Sequence, residues 1–238
     1  MSQAADLTSR EAEIIRILRV LHSHSDKLVV IGGYAVSALA SHRFSVDCDV
    51  VVSEKELESL GKVLTDEGYR KVKATNLPRG IHGAKTAKYV KMIGGRRVAV
   101  DLYANSVLSR DTGGEWRYEL LLQNSIESNV VGVTDSAVAL VPTRELLIAM
   151  KLHAARDTDL RDIVMLSEGA DLNMVAGFAN TGVNDKVTSQ LDWAMKKIGS
   201  KEFPPALKAE FGLRTDMTPL IRGTLEHLKT IRKRLVEK

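Results

Sequence analysis

The sequence is poor in aromatic residues, which fill 5% of its 238 positions, and so it offers few flat faces on which a base or a sugar can stack. It has one cysteine, Cys48, which excludes an internal disulfide and suits a reducing compartment. Long apolar runs are missing too. The longest, Leu28–Ala40, is interrupted by Gly32 and Gly33 and falls short of the roughly 20 residues that a membrane-spanning helix needs. The opening stretch Met1–Glu13 is polar and lacks the apolar centre of a secretory signal. Its histidines show no metal-ligand spacing, and neither G-x-G-x-x-G nor G-x-x-x-x-G-K occurs, so a dinucleotide fingerprint and a P-loop are both excluded. These absences predict a cytoplasmic protein without a membrane partner.

What is present describes a globular chain. Hydrophobic residues make up 44% and charged ones 27%, enough for one large domain or two modest ones. The net charge of +4 is mild but unevenly spread. Between Arg70 and Arg97 stand nine basic residues, Arg70, Lys71, Lys73, Arg79, Lys85, Lys88, Lys91, Arg96 and Arg97, with no acid among them. The stretch Asp47–Glu67 before it is rich in acids. Adjacent acidic and basic segments suit a site that holds metal cations and a polyanion together. A solvated pair of basic strands fits the charge pattern equally well.

Periodicity predicts a helix over Ser9–His22, capped by Ser9, then a buried strand Lys27–Ile31 broken by Gly32-Gly33. A short helix Tyr34–Ser41 and a strand Asp47–Val52 follow. Ser53 and Glu56 have capping-box spacing for a helix to Glu67. Further strands are predicted at Arg70–Ala74, Ala87–Met92 and Arg97–Tyr103, with Gly94-Gly95 as a hairpin turn, and short ones at Asn129–Val133 and Ala137–Val141. Beyond Pro142 the pattern becomes helical, over Thr143–Arg156, Asp159–Leu166, Leu172–Phe178, Lys186–Ile198 and Thr218–Val236, with Pro204-Pro205 in a loop before the last. An α/β domain over 1–141 and a helical domain over 142–238 are the expected organisation.

The chemistry concentrates in three places. On a strand, Asp47, Asp49 and Val51 share one face, and Cys48, Val50 and Val52 point into a core. Two carboxylates so placed repel unless a cation lies between them, and their hard oxygens suit Mg²⁺ or Mn²⁺. In Arg97–Tyr103 the apolar residues Val98, Val100 and Leu102 share a face opposite Asp101. If the two strands are neighbours, Asp101 joins Asp47 and Asp49; otherwise it is an exposed acid on an edge strand. Finally, a strand ending in Gly32-Gly33 before a helix lets backbone N–H groups approach a phosphate at the positive end of the helix dipole. A tight turn alone would explain the same two glycines.

Taken together, Gly32-Gly33, then Arg43-x-Ser45-x-Asp47-x-Asp49, then a distant Asp101 resemble the nucleotidyltransferase superfamily, the polymerase-β-like fold. The run Glu145–Arg156, which contains Lys151, Leu152 and Ala154, is followed by Asp159-Leu160-Arg161-Asp162-Ile163. That pair of segments resembles the helix pair of abortive-infection nucleotidyltransferase toxins of the AbiEii type. The match covers roughly Leu28–Leu166, with Gly-Gly where those toxins usually carry Gly-Ser, and Ser45 where many relatives have threonine.

The resemblance implies an α+β mixed sheet followed by a helical domain, and an NTP as substrate. It implies that Asp47 and Asp49 hold one or two Mg²⁺ ions, with Asp101 completing the metal site and activating an acceptor hydroxyl. Gly32 and Gly33 would cradle phosphates, with Arg43 and Ser45 beside them. Lys151 would reach the triphosphate from the helical domain, with Asp162 orienting it or a base; without the resemblance, Lys151 reads as a lysine at the edge of an apolar stripe, its head in water. The acceptor would be RNA, with a tRNA 3′ end the sharpest expectation, or a protein side chain. Lys85, Lys88, Lys91, Arg96 and Arg97 would supply RNA phosphate contacts. A toxin with a cognate antitoxin is the implied role. A small-molecule adenylyltransferase of the aminoglycoside or lincosamide type, and a non-catalytic nucleotide- or RNA-binding module, are the alternatives.

Overall fold

The computed structural model describes residues 3–72 and 80–236. The chain divides into two compact units, one of residues 1–107 and 116–142, the other of residues 108–115 and 143–238.

The first unit is built on a seven-stranded mixed sheet. Its strands are β1 (Val29–Ile31), β2 (Asp47–Val52), β3 (Arg70–Val72), β4 (Lys85–Ile93), β5 (Arg96–Ala104), β8 (Ser125–Val131) and β9 (Ser136–Pro142), in the spatial order β3-β4-β5-β2-β1-β9-β8. Among the described residues, the helices of this unit are α1 (Gln3–His24), α2 (Gly32–Leu39), α3 (Glu54–Asp66) and α4 (Tyr118–Gln123). Two short strands, β6 (Ser106–Leu108) and β7 (Glu115–Arg117), form a separate ribbon.

Strand alternation sorts the sheet into two unlike faces. Cys48, Val50 and Val52 of β2 and Val98, Val100 and Leu102 of β5 are fully buried on one face. Helices α1 and α3 lie over that side, since Lys91 of β4 pairs with Glu13 of α1 and Lys85 pairs with Glu54 of α3. Helix α1 contributes the stripe Ile14, Ile15, Ile17, Leu18 and Leu21, none more than 1% exposed. It starts at Gln3, so Ser9 sits inside it rather than capping it. The Ser53 cap of α3 is formed as the spacing predicts: Glu56 Oε2 accepts from the Ser53 backbone N–H at 3.2 Å.

The β4–β5 hairpin turns at Gly94-Gly95, as predicted, and both strands run longer than the sequence pattern suggested. The expected end of β3 at Ala74 lies outside the described residues.

The second unit is helical: α5 (Arg144–Ala154), α6 (Asp157–Leu166), α7 (Leu172–Ala179), α8 (Asn184–Ile198), α9 (Phe203–Phe211) and α10 (Thr218–Val236). Helix α9 corrects the sequence reading, which placed Pro204-Pro205 in a loop. Both prolines stand in the first turn of α9, where a missing N–H costs nothing because no intrahelical acceptor faces it.

The loop 108–115 belongs to this unit because of His153. The His153 ring is fully buried, with Nδ1 2.6 Å from Thr112 Oγ1 and Nε2 2.9 Å from the Ala179 carbonyl. A Cβ at Gly114 would lie 2.3 Å from that ring, so only glycine lets the loop pass. Among the described residues no helix is long and apolar enough to cross a membrane.

Candidate active site

The other face of the first unit's sheet carries the acids. Strands β2 and β5 run parallel and adjacent, and their register sets Asp49 directly opposite Asp101. Partners in register point to the same side, about 4.8 Å apart at the backbone. Asp47 is opposite Ala99, one pleat repeat back along β2, and so lies on that side as well. Asp101 is 9% exposed, and its Oδ1 is buried without a hydrogen-bond partner among the described residues. Asp47 Oδ1 is orphaned in the same way, although that side chain is 46% exposed and Arg97 stands 4.0 Å from it. The concentration of negative charge is felt through the sheet. Burial pushes the Cys48 thiol well above its ordinary range, and Asp49, Asp101 and Asp47 push it further.

Strand β1 lies on the other side of β2, with Ile31 opposite Asp49, and it ends at the glycine turn. Gly32 has φ +70° and opens α2. A Cβ there would lie 2.5 Å from Asp49 Oδ2, and one on Gly33 would lie 2.9 Å from the Arg43 guanidinium. The two glycines therefore admit a carboxylate and a guanidinium against the backbone at the N-terminus of α2, where the helix dipole is positive.

The segment that carries Arg43 is tied down. Ser37 Oγ accepts from the Arg43 N–H at 3.3 Å, and Tyr34 Oη donates to the Ser45 carbonyl at 2.7 Å. Ser45 uses its own hydroxyl locally, donating to the Asp47 carbonyl at 2.9 Å. Tyr103, two residues beyond Asp101 on the same face, donates to Asp49 Oδ1 at 3.2 Å. Strand parity alone could have placed Tyr103 beside the acids, because Asp49 and Asp101 share its side.

The donor type fits a divalent cation, with hard carboxylate oxygens on one face and orphaned oxygens on Asp47 and Asp101. The closed triad expected from sequence is nevertheless an open row. Among the described residues no three His, Cys, Asp or Glu side chains are gathered as a metal-holding group. The reason is spacing: Asp47 and Asp49 are i and i+2 on one strand, about 6.8 Å apart along it, whereas Asp49 and Asp101 are cross-strand partners.

Two further expectations change. The basic stretch is not one surface. Lys85 and Lys91 point to the helix-covered face, paired with Glu54 and Glu13, and Lys88 points to the acid face, 2.8 Å from Asp101 Oδ2. Arg96 and Arg97 are exposed at the hairpin, and Lys73 and Arg79 lie outside the described residues. An i, i+3, i+6 spacing on a strand alternates faces, which charge counting could not see.

Lys151 is likewise not a presented cation. It is 4% exposed, its Nζ lies 3.0 Å from Asp159 Oδ1 and 2.6 Å from Asp162 Oδ2, and all these partners belong to the helical unit. Burial alone would raise the Asp159 carboxyl, yet Lys151 and Arg156 hold it below its ordinary value. Ala155, at φ +41°, makes the tight left-handed turn that folds α6 back so that these groups meet. Asp159 was missed as a partner of Lys151; its place eight residues further on, across a helix break, gives no periodic signal.

A family profile described as an uncharacterised nucleotidyltransferase matches residues 3–190. The chain belongs to that nucleotidyltransferase family. It is thus an enzyme family in which a nucleotide is the donor. Among solved structures, a candidate nucleotidyltransferase from H. pylori is 14% identical with a TM-score of 0.53, and covers 100% of this chain and 98% of its own. JHP933 from Helicobacter pylori is 15% identical with a TM-score of 0.53, over 100% of this chain and 95% of that one. At this identity the likeness establishes the nucleotidyltransferase fold. The antibiotic-resistance factor ANT(2'')-Ia aligns more weakly, at 13% identity and a TM-score of 0.41 over 86% of this chain and 92% of that one. No curated relative matches the chain.

Proposed function

We propose that this nucleotidyltransferase moves a nucleoside monophosphate from an NTP to an acceptor hydroxyl at the acid face of β2 and β5. The observation that carries the reading is the register of Asp49 with Asp101, beside a glycine turn that a Cβ would close. In such a transfer the acceptor oxygen bonds to the α-phosphorus as the bond to pyrophosphate breaks, and catalysis rests on positioning and on charge neutralisation. Asp49, Asp101 and Asp47 would hold Mg²⁺ or Mn²⁺, which supplies positive charge to the reacting phosphate oxygens when bound. Asp101, whose Oδ1 is orphaned, takes the acceptor's proton. Gly32, Gly33 and Arg43 bind phosphate oxygens of the nucleotide, and Tyr103 holds Asp49 in place.

For the acceptor, an RNA 3′ hydroxyl is the reading we favour, and the support is narrower than the sequence suggested. It comes from Arg97, exposed and 4.0 Å from Asp47 on the acid face, together with Arg96 on the same hairpin. A toxin role, with an antitoxin to restrain it, rests on the resemblance of the Lys151–Asp162 segment to the abortive-infection type.

The test is incubation of the full chain with each labelled NTP, Mg²⁺ and total RNA, and in parallel with protein and aminoglycoside acceptors. Label on RNA is expected, and its loss in Asp49→Ala ties the transfer to this face. Label on the drug alone would replace the RNA reading with small-molecule adenylylation. Binding of NTP without transfer to any acceptor would reduce the chain to a nucleotide-binding module.

A further inference from the structure

The face that carries the acids also carries one lysine from β4. Antiparallel register sets Lys88 opposite Asp101, so the row across the adjoining strands reads Asp49, Asp101, Lys88. Lys88 Nζ lies 2.8 Å from Asp101 Oδ2, while Oδ1 of the same carboxylate is buried without a hydrogen-bond partner among the described residues. Asp101 therefore stands between a like charge on one strand and an opposite charge on the other. The lysines nearest Lys88 in sequence, Lys85 and Lys91, belong to the opposite face and to Glu54 and Glu13.

Resting on the reading of this row as a cation site, we propose that Lys88 is its resident counter-ion. The ammonium occupies Asp101 Oδ2 in competition with a divalent cation and so sets the affinity of the row for that ion. Two adjacent carboxylates repel, and the lysine offsets about one unit of that charge within contact distance. A divalent cation that engages Asp101 must share the carboxylate with the ammonium or displace it. The lysine thereby lowers the negative charge of the row until an ion of higher charge arrives, and it weakens the binding of that ion. Because Lys88 and Asp101 side chains are 27% and 12% exposed, water and salt screen the effect but do not remove it.

The experiment is calorimetric titration of Mn²⁺ into the full chain without nucleotide, for the wild type, Lys88→Met, Lys88→Arg and Lys85→Met. Lys88→Met keeps the aliphatic stem and is expected to bind Mn²⁺ roughly tenfold more tightly, with the other two within about twofold of the wild type. Adding Asp101→Asn to Lys88→Met is expected to remove the gain. A Lys88→Met affinity equal to or below that of a wild type that binds Mn²⁺ overturns the counter-ion proposal and leaves the acid row standing. Mn²⁺ bound by neither protein overturns the proposal and the cation-site reading together. A gain that survives Asp101→Asn places the ion elsewhere and also overturns the proposal. Thermal melts in EDTA check that each variant is folded, and Lys88→Gln reads the same titration should Lys88→Met not fold.

Discussion

The acid row of β2 and β5 and the cluster joining α5 to α6 are made of the same parts, aspartates beside a lysine, and they differ in how completely the parts are matched. In the helical unit Lys151 lies within 3.0 Å of both Asp159 and Asp162, and Arg156 lies 2.6 Å from Asp159. The carboxylates there are 2% and 0% exposed at the side chain and each meets a cation. On the sheet, Asp47 and Asp101 each leave one buried oxygen without a hydrogen-bond partner among the described residues. A charge cluster that satisfies itself asks for nothing further, whereas orphaned acceptors leave lone pairs that an ion or a water can still satisfy.

The strongest way to break this contrast is to remove one acid from the sheet. Asp49→Ala is expected to lower nucleotidyl transfer at least about a thousandfold, the scale of losing a group that acts on the transition state. Its thermal midpoint should stay near that of the wild type, because loss of the Tyr103 hydrogen bond is offset by relief of the repulsion between adjacent carboxylates. Steady-state transfer assays beside thermal melts make the comparison; a variant that melts far earlier and keeps its turnover would make the row structural after all.

The mirror experiment is Lys151→Met. Stripping the cation from two buried carboxylates is expected to cost about 3–5 kcal/mol of stability, the range for breaking a buried pair from one side. Urea unfolding of the full chain measures it. Unchanged stability with a raised KM for NTP would return Lys151 to the nucleotide and erase the difference between the clusters.

A smaller effect separates the helical unit's anchors by pH. Burial holds the His153 imidazole below its ordinary value, offset in part by the bond to the Ala179 carbonyl. The folded protein therefore keeps this ring neutral where the unfolded chain takes up a proton. Stability from this source is complete above the unfolded value near 6.5 and is lost as pH falls through that region, with a slope of at most about 1.4 kcal/mol per pH unit. Asp159, also held low, contributes stability that is complete above the ordinary carboxylate range and is lost as pH falls below it. Denaturation between pH 7 and 5 should thus show a slope in the wild type that flattens in His153→Asn; equal slopes would mean that the ring does not titrate between the two states.

The shared face of the sheet acids was legible in the sequence, the contrast with the α5–α6 cluster was not, and the illegible part has one physical cause. Period-2 alternation put Asp47, Asp49 and Asp101 opposite their apolar neighbours, because a strand has only two faces. The capping box at Ser53 and Glu56 was readable because both partners lie within one turn. Which strands adjoin is a long-range fact, so neither the Asp49–Asp101 register nor the pairing of Lys88 with Asp101 could be read from spacing. For the same reason charge counting left the basic stretch open as one surface, and it was the resemblance, not the spacing, that put Lys151 at the triphosphate. Their acidic partners are on other elements, among them Glu13 of α1, Glu54 of α3 and Asp159 of α6.

The smallest expected effect sharpens the comparison from within the first unit. Ser53 caps α3 on the helix side of the sheet, and its hydroxyl donates to Glu56 Oε2 at 2.6 Å. Ser53→Ala removes the capping hydroxyl and is expected to cost about 1 kcal/mol. The acids are on the opposite face, with the buried residues Cys48, Val50, Val100 and Leu102 alternating with them along β2 and β5. A loss confined to the cap should therefore lower the unfolding midpoint and leave Mn²⁺ affinity unchanged. If the calorimetric titration of Ser53→Ala shifts in step with its stability, the row depends on the packing of the helix side. The sheet would then not insulate one face from the other, and the acid row could no longer be set apart from the structural cluster as independent of the fold's stability.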